Sequence, residues 1–499
     1  MPVDLNYKTR LPWILGAIFF VIYILTLNRW VTLDSLAVLA PIVGWDFWGL
    51  RMNSPLFRLV TSPCQLLSPA SSILFISVLN AVLASFSLVW LARAVMLLPQ
   101  DRCTDQRVRN DDPDGLYVSK LSWIPPLLAV CSLGFMFAFW EDATGAFPAI
   151  INVFFLSYIV RNTLEYRLDG ENFWIYRAAA VYSIALVNNW VMILLLPFWI
   201  GSLIWINGTN LLRYSTLIVR SFLCFLPGLL FFLYTPTIEY IEGRSDLGFF
   251  NLLAMSLKQH ASSVTSIPPY ILFIFSTFSI IPLILLSIKW DQSRSSGGNA
   301  GINTAMTRIS VRLMNLFFFL YAGAVAFELP VCPSHLTPGF EGLEFHYIAA
   351  LVLGFATGYL LIVFHEPVTE RRQKRFKVSD FMNLIRPVIF VFVLICGVAM
   401  LGGLIYKNYP QIQANNSNTL YDLGCNLLDD IQKIDKDKPV TLLSDDPTCI
   451  YLVRATMARK GVQDPYIFVD TRFLSYPWYH RRMAKFYPER WKNYFAEAT

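Results

Sequence analysis

The stretch "SSILFISVLNAVLASFSLVWL", residues 71–91, contains no Asp, Glu, Lys or Arg. At ~1.5 Å of rise per residue, a helix of this length crosses the ~30 Å hydrocarbon core of a bilayer. Comparable apolar stretches recur through residues 11–406, and we expect about eleven transmembrane helices from their spacing. The pattern predicts a polytopic α-helical membrane protein. Membrane lipid is therefore an expected partner.

Composition supports the same class. Of the 499 residues 55% are hydrophobic and 15% charged, and the mean hydropathy is +0.49. A soluble domain carries about 25% charged residues, so a soluble enzyme is excluded, and so is a disordered chain. The net charge of +6 does not indicate nucleic acid, because membrane proteins concentrate Lys and Arg in their cytoplasmic loops.

The distribution of basic residues predicts the orientation. Lys8 and Arg10 precede the first apolar stretch, and "RRQKRFK", residues 371–377, is the richest basic loop. The positive-inside rule therefore places the amino terminus in the cytoplasm and, after an odd number of spans, the carboxyl-terminal segment outside. The expected location is a bacterial inner membrane, or the endoplasmic reticulum in a eukaryote.

The composition changes after Lys407. There "PVTLLSD" is typical of a strand, "PTCIYLVRATMARKG" of a helix, and "PYIFVD" of a second strand that ends at Asp470. The order predicts a small extracytoplasmic α/β domain. We expect a transmembrane domain over residues 1–406 and this second domain over residues 407–499.

Cysteine usage gives no sign of a metal or redox site. The eight Cys include no CxxC pair, and the chain has no P-loop and no HExxH motif. No metal site and no cofactor are predicted. Cys425 and Cys449 share the predicted outer domain, where an oxidising compartment would allow a disulfide between them.

The first outside loop, "RWVTLDSLAVLAPIVGWDFWGLRMNSPLFRLV", carries Asp34, Asp46, Arg51 and Arg58. A carboxylate at the interface can accept a proton from an attacking hydroxyl, and a nearby Arg can hold a phosphate. The alternatives are structural. Asp34 could cap a helix that starts at Ser35, and Asp46 could belong to an interfacial aromatic belt.

A second candidate is "FWEDATGAF", with Glu141 and Asp142 at the outside end of an apolar stretch. Acids this close to hydrocarbon are costly unless they line a cavity or reach the headgroup layer. Both interpretations, substrate site and membrane surface, stay open from the sequence.

The third candidate is "ALVNNWVMILLLP", with Asn188 and Asn189 between two apolar segments. The pair favours a turn, and hydrogen bonding to a sugar or phosphate is the alternative. Glu328 and the pair Glu344 and His346 are weaker candidates of the same kind.

With these motifs in view, the chain resembles the protein O-mannosyltransferases of the transmembrane protein 260 type and their bacterial relatives, within the GT-C superfamily. The strongest similarity is "VTLLSDDPTCIYLVRATMARKGVQDPYIFVDTRFLSYPWYHRRMAKFYPERW". The segments "SPLFRLVTSP", "FWEDATGAF" and "EYRLDGENFWIYRAAAVYSIALVNNW" are also similar. Relatives carry Gly-Glu where this chain has Leu36 and Ala37, and a Glu where it has Phe147.

The resemblance implies a GT-C-like fold and transfer of a sugar from a polyprenyl-phosphate donor to an acceptor hydroxyl on a protein or glycan. Mannose is the first candidate for that sugar. The resemblance also implies Asp34 as the base, with inversion at the anomeric carbon. The donor-binding candidates are then Asp46, Arg51, Arg58, Glu141, Asp142, Asn188 and Asn189. The acceptor-recognition candidates are Tyr476, Trp478 and Tyr479.

Two other classes stay open. A lipid or sugar transporter would need polar groups near the middle of the membrane, whereas the acids here cluster at one face. A non-catalytic membrane scaffold would use the carboxyl-terminal segment to bind a partner.

Overall fold

The computed structural model describes residues 5–49, 54–98, 121–207, 215–241, 247–270, 300–329, 342–363, 378–434, 440–462 and 466–491. Helices dominate these residues. A helix satisfies its backbone N–H and C=O groups within one segment, which the apolar interior of a bilayer requires.

The first half of the described chain contains nine helices. Several successive helices are separated only by short loops or by single turns of 3₁₀ helix. Their bounds are α1 (Leu5–Leu25), α2 (Leu33–Val43), α3 (Pro55–Thr61), α4 (Pro69–Leu97), α5 (Ile124–Gly134), α6 (Phe137–Thr144), α7 (Ala149–Asp169), α8 (Asn172–Asn188) and α9 (Leu196–Asn207).

The second half contains nine more described helices and two strands. The strands lie close to the carboxyl terminus. The bounds are α10 (Ser215–Leu230), α11 (Tyr234–Ile241), α12 (Phe249–Thr265), α13 (Ala300–Ala326), α14 (Leu343–Gly358), α15 (Val378–Asn415), α16 (Thr419–Ile434), β1 (Thr441–Ser444), α17 (Pro447–Lys460), β2 (Ile467–Asp470) and α18 (Pro477–Phe486).

Four helical segments among the described residues are long and apolar enough to cross a membrane: Pro69–Leu97, Ser215–Ile241, Leu343–Leu361 and Pro387–Lys433. A fifth forms if α5 and α6 count as one broken span. The mostly helical fold and its apolar helices agree with a helical membrane protein, and the number eleven stays a prediction.

Residues 123–140 are one of the apolar stretches of the sequence, but the structure divides them between α5 and α6. The two helices meet at an angle of 70°. Gly134 ends α5 against the ring of Phe19, where an added Cβ would lie 2.3 Å from a ring carbon, and its carbonyl accepts a 3.0 Å hydrogen bond from the Tyr23 hydroxyl. The tight approach of α1 therefore holds the chain at the bend.

Three buried apolar clusters lie among the described residues, and the two large ones organise the chain. The larger one fills the helical bundle and includes Phe19, Leu88 and Tyr347. The smaller one joins the first loop to the carboxyl-terminal elements through side chains such as Trp48 and Phe468. The carboxyl-terminal elements thus share a core with the first loop.

The predicted strand, helix and second strand of the carboxyl-terminal segment are confirmed as β1, α17 and β2. The strands pair in parallel, with Thr441 opposite Ile467 and Ser444 opposite Asp470. Helix α15 continues past the boundary expected after residue 406 and ends at Asn415. The last membrane helix therefore leads directly into the carboxyl-terminal elements.

The disulfide hypothesis for Cys425 and Cys449 is wrong in this structure, because both are free thiols. Cys425 lies on α16 and Cys449 in the first turn of α17, where its thiol contacts Asp446 at 3.8 Å.

Candidate functional site

The loop face is the end of the helical bundle at which α1 ends and α4 begins. Hydrogen bonds join the chain segments that meet there. Asn416 donates from Nδ2 to the carbonyl of Thr26 at 2.7 Å, and the N–H of Asn28 donates to the carbonyl of Thr144 at 3.0 Å. The first loop, α6 and the end of α15 therefore meet at one face.

Asp34 lies in the first turn of α2 with its side chain exposed. The cap of this helix is Thr32, which forms a capping box with Ser35. The N–H of Ser35 donates to the Thr32 hydroxyl at 3.2 Å, and the N–H of Thr32 donates to the Ser35 hydroxyl at 2.8 Å. The capping alternative for Asp34 is therefore wrong.

A crevice opens beside this turn. It is small and partly open to solvent, and it lies between α6, the first loop and the end of α15. Within it, Asn415 donates from Nδ2 to Glu141 Oε1 at 2.7 Å. Its lining residues are Asn28, Thr32, Glu141, Thr144, Gly145, Phe147, Ile412, Asn415 and Asn416. Because Thr32 both lines the crevice and caps α2, the turn that carries Asp34 starts at the crevice wall.

Asp142, the neighbour of Glu141, is buried and does not line this crevice. The two acids point to different sides of α6, since successive helix residues lie about 100° apart. The sequence could not separate them, and the structure brings Glu141 alone to the crevice.

Asp46 belongs to the contact between the first loop and α17. Its Oδ1 accepts a 2.7 Å hydrogen bond from the N–H of Gly49. Burial raises the pKa of Tyr451, and the carboxylates of Asp46 and Asp470 raise it further. Arg51 lies outside the described residues.

Arg58 forms a buried ion pair with Glu239 of α11. The distance from Nη1 to Oε1 is 2.8 Å, and the side chains are 11% and 0% exposed. The sequence analysis missed Glu239, although an acid within the apolar run "LYTPTIEYI" was a signal for a buried partner. The charge of Arg58 is therefore already balanced inside the protein.

Asn188 and Asn189 end α8 and bind different partners. The buried Asn188 accepts at Oδ1 from the N–H groups of Leu56 and Phe57, at 3.2 and 3.4 Å, and donates to Asn152 Oδ1 at 2.8 Å. It thereby holds the start of α3.

Asn189 begins the 3₁₀ turn Trp190–Leu194, where its Oδ1 accepts from the N–H of Val191 at 3.1 Å. Its Nδ2 donates to Glu344 Oε1 at 3.3 Å. Glu344 and His346 are both buried in α14. Glu328 accepts at 2.9 Å from the N–H of Ala138 at the start of α6.

The three acceptor-recognition candidates divide by exposure. Tyr476 is 49% exposed, and Trp478 is half-buried with the Arg482 guanidinium 5.1 Å from its ring centre. Tyr479 is fully buried, and its hydroxyl accepts a 2.8 Å hydrogen bond from the N–H of Asp470. A role for Tyr479 in contacting an acceptor is therefore wrong, because its ring belongs to the core beneath α18.

Comparison with known proteins leaves the chain without a match. No family model, no curated protein and no solved structure matches it. Among the residues that the structure describes, no three His, Cys, Asp or Glu side chains are grouped to hold a metal ion.

Proposed function

We propose that this protein is a membrane glycosyltransferase that moves a sugar from a polyprenyl-phosphate donor to an acceptor hydroxyl. Mannose is the first candidate for that sugar. The observation that supports the proposed function best is the crevice at the loop face. A carboxylate, three Asn amides and two Thr hydroxyls surround it at the end of an apolar bundle. Such groups form hydrogen bonds with sugar hydroxyls.

The position of the crevice suits a lipid-linked donor. The polyprenyl chain would stay among lipid tails along the apolar helices, while the sugar and phosphate would reach the interface. Exclusion of water there would strengthen the contacts between carboxylate and hydroxyl. The acceptor would approach from the side of the carboxyl-terminal elements, where Tyr476 is exposed.

In the proposed step Asp34 takes the proton of the acceptor hydroxyl. The acceptor oxygen forms its bond to the anomeric carbon as the bond from that carbon to the phosphate oxygen breaks. The electron pair of the broken bond leaves with the polyprenyl phosphate. We assign Arg58 mainly to fastening α3 to α11, because a phosphate would have to compete with Glu239.

The test is transfer of radiolabelled sugar from polyprenyl-phosphate mannose and related donors by the purified full chain. The variant Asp34→Asn removes the base and should lower turnover by ~10²–10⁴-fold. Asp422→Asn is the matched control, since Asp422 is also exposed in the first turn of a helix, α16. Its turnover should equal that of the wild type.

Near-wild-type transfer by Asp34→Asn would remove Asp34 from the mechanism. Failure of the wild type to transfer sugar from any donor, with the protein folded, would overturn the proposed function and favour a scaffold.

A further inference from the structure

We infer that Arg459 binds the phosphate of the lipid-linked donor, and that Tyr421 and Trp30 position its guanidinium. This inference rests on the proposed function and names the group that would neutralise the leaving phosphate. The sequence analysis assigned only acceptor recognition to the carboxyl-terminal elements, whereas this inference gives them a part in holding the donor.

The leaving phosphate requires a cation beside it, because it departs with the electron pair of the broken bond. Several guanidinium groups of the loop face are already bound within the protein. Arg58 is paired with Glu239, and Arg472 is paired with Asp470 at 2.7 Å. Arg454 is buried. Each of these groups would have to give up its present contacts before it could bind a phosphate.

Arg459 differs from these groups. It lies in the last turn of α17 and is exposed. Its Cζ lies 4.0 Å from the ring centre of Tyr421 and 5.4 Å from that of Trp30. Among the residues that the structure describes, no carboxylate forms an ion pair with it. A guanidinium has five N–H donors, and stacking on a ring leaves these donors available for phosphate oxygens.

The two rings form a platform for the guanidinium and come from distant parts of the chain. Their centres are 5.1 Å apart and their planes are inclined by 86°, which is an edge-to-face contact. Trp30 belongs to the first loop, where its N–H donates to the Asn28 side chain at 2.9 Å. Tyr421 lies in the first turn of α16. Because the platform is built from the protein's own contacts, a ligand would find the cation already in place.

The platform lies just beyond the ends of two apolar helices. Helix α1 ends at Leu25 and α15 at Asn415, and Trp30 and Tyr421 follow these ends by five and six residues. Trp and Tyr favour the membrane interface, where lipid phosphates lie. Below the platform, Leu25 and Tyr406 are 78% and 85% exposed. A prenyl chain could therefore lie along these helices while its phosphate reaches Arg459.

The platform is also close to the proposed base. Trp30 precedes Thr32, the cap of α2, by two residues, and Asp34 lies in the first turn of that helix. Four residues of chain span at most ~14 Å even when they are fully extended. A phosphate bound to Arg459 would thus be held beside the turn that carries Asp34.

The first experiment compares binding of undecaprenyl phosphate and of undecaprenol to the detergent-solubilised full chain by microscale thermophoresis. Arg459→Gln should weaken binding of undecaprenyl phosphate about 10-fold, the usual effect of losing a hydrogen bond from a charged group. It should leave binding of undecaprenol unchanged, because undecaprenol carries no phosphate. Lys485→Gln, which removes an exposed charge from α18, is the control and should change neither.

The source of the phosphate is tested by competition. Undecaprenyl phosphate carries more than one negative charge at pH 7, whereas phosphatidylglycerol carries one. Phosphatidylglycerol and inorganic phosphate at equal concentration should therefore leave most of the undecaprenyl phosphate bound. Displacement by phosphatidylglycerol would indicate a site for any anionic lipid, and displacement by inorganic phosphate a site for a free anion. Either result would overturn the assignment to the donor.

The second experiment tests the positioning role of the ring. Tyr421→Leu should raise the KM for polyprenyl-phosphate mannose about 2- to 5-fold, because a cation–π contact at an exposed site contributes little more. Tyr421→Phe keeps the ring and should restore the KM of the wild type. A KM that is raised equally in both variants would overturn the positioning role.

A purely structural role of Arg459 predicts a different result. If Arg459 only held α17 against α16, Arg459→Gln would lower the unfolding temperature and would weaken binding of undecaprenol and of undecaprenyl phosphate equally. That result would overturn the inference.

The two proposals fail in different ways. Binding of undecaprenyl phosphate that depends on Arg459, without sugar transfer from any donor, would overturn the proposed function and leave the phosphate site standing. Sugar transfer by the wild type, with an equal KM for the donor in Arg459→Gln, would overturn the phosphate site alone.

Discussion

The guanidinium of Arg454 donates a 2.7 Å hydrogen bond from Nη1 to the backbone carbonyl of Trp45, across 409 residues of chain. Its Nη2 donates to the Tyr487 hydroxyl at 2.7 Å, and its Cζ lies 4.5 Å from the ring centre of Phe468. Arg454 is 5% exposed. One buried cation therefore ties α17 both to the first loop and to the segment that follows α18.

We expect Arg454→Met to loosen this contact. The methionine keeps apolar bulk but leaves the Trp45 carbonyl without its charged donor, and hydrogen bonds to charged groups contribute about 1.5–3 kcal/mol each. Limited proteolysis should then cut the first loop or the carboxyl-terminal elements faster than in the wild type. Lys485→Met, an exposed change on α18, is the control and should leave the cleavage rate unchanged.

The buried pair of Arg58 and Glu239 predicts a non-additive pattern of stability. Removal of one partner, by Arg58→Met or Glu239→Leu, should lower the free energy of unfolding by about 3–5 kcal/mol, because the other charge stays buried. The double variant should recover most of that loss, since an apolar pair of similar volume is often as stable. Denaturant unfolding in detergent measures all three. Additive losses would show that the two residues do not act as a pair.

Cys449 provides a prediction about pH. Burial raises the pKa of its thiol, and the nearby Asp446 carboxylate raises it further. The thiolate is the reactive form, so alkylation should be slow below this raised pKa and accelerate as the pH rises through it. Asp446→Asn keeps a good helix cap and removes the charge. It should speed alkylation about 2- to 10-fold at a fixed pH below the pKa.

Mass spectrometry of the Cys449 peptide measures the rate, and Cys425 on the same chain serves as the internal reference. An unchanged ratio of the two rates would contradict the role of Asp446. A peptide linked through Cys449 by a disulfide would contradict the free thiol.

The shared face of the first loop and the carboxyl-terminal elements predicts that both are labelled from the same side of the membrane. A cysteine introduced by Ala37→Cys, on the exposed side of α2, and the native Cys449 should react together with a membrane-impermeant maleimide. The distribution of basic residues predicts that this side faces the outside of the cell or the lumen. The buried Cys131 should stay unlabelled. Labelling of one site without the other would contradict the common face.

Local features of the structure follow from short stretches of sequence. The length of the apolar runs indicated a membrane protein, because a bilayer of fixed thickness selects helices of fixed length. Alternation and helix signals predicted β1, α17 and β2, because each depends on a few consecutive residues. The sequence also pointed to Glu141 as an acid at the end of an apolar stretch, without separating it from Asp142.

The contacts between distant polar residues depend on how the whole chain folds. Arg58 and Glu239 are 181 residues apart, and Glu141 and Asn415 are 274 apart. The periodicity of a sequence does not identify such a partner, because the contact depends on how the helices pack and bend. The same holds for Tyr479, whose ring looked suited to an acceptor beside Tyr476 but turns inward on α18. The residue type sets the chemistry of a side chain. The helices packed around that side chain set its access to water or substrate.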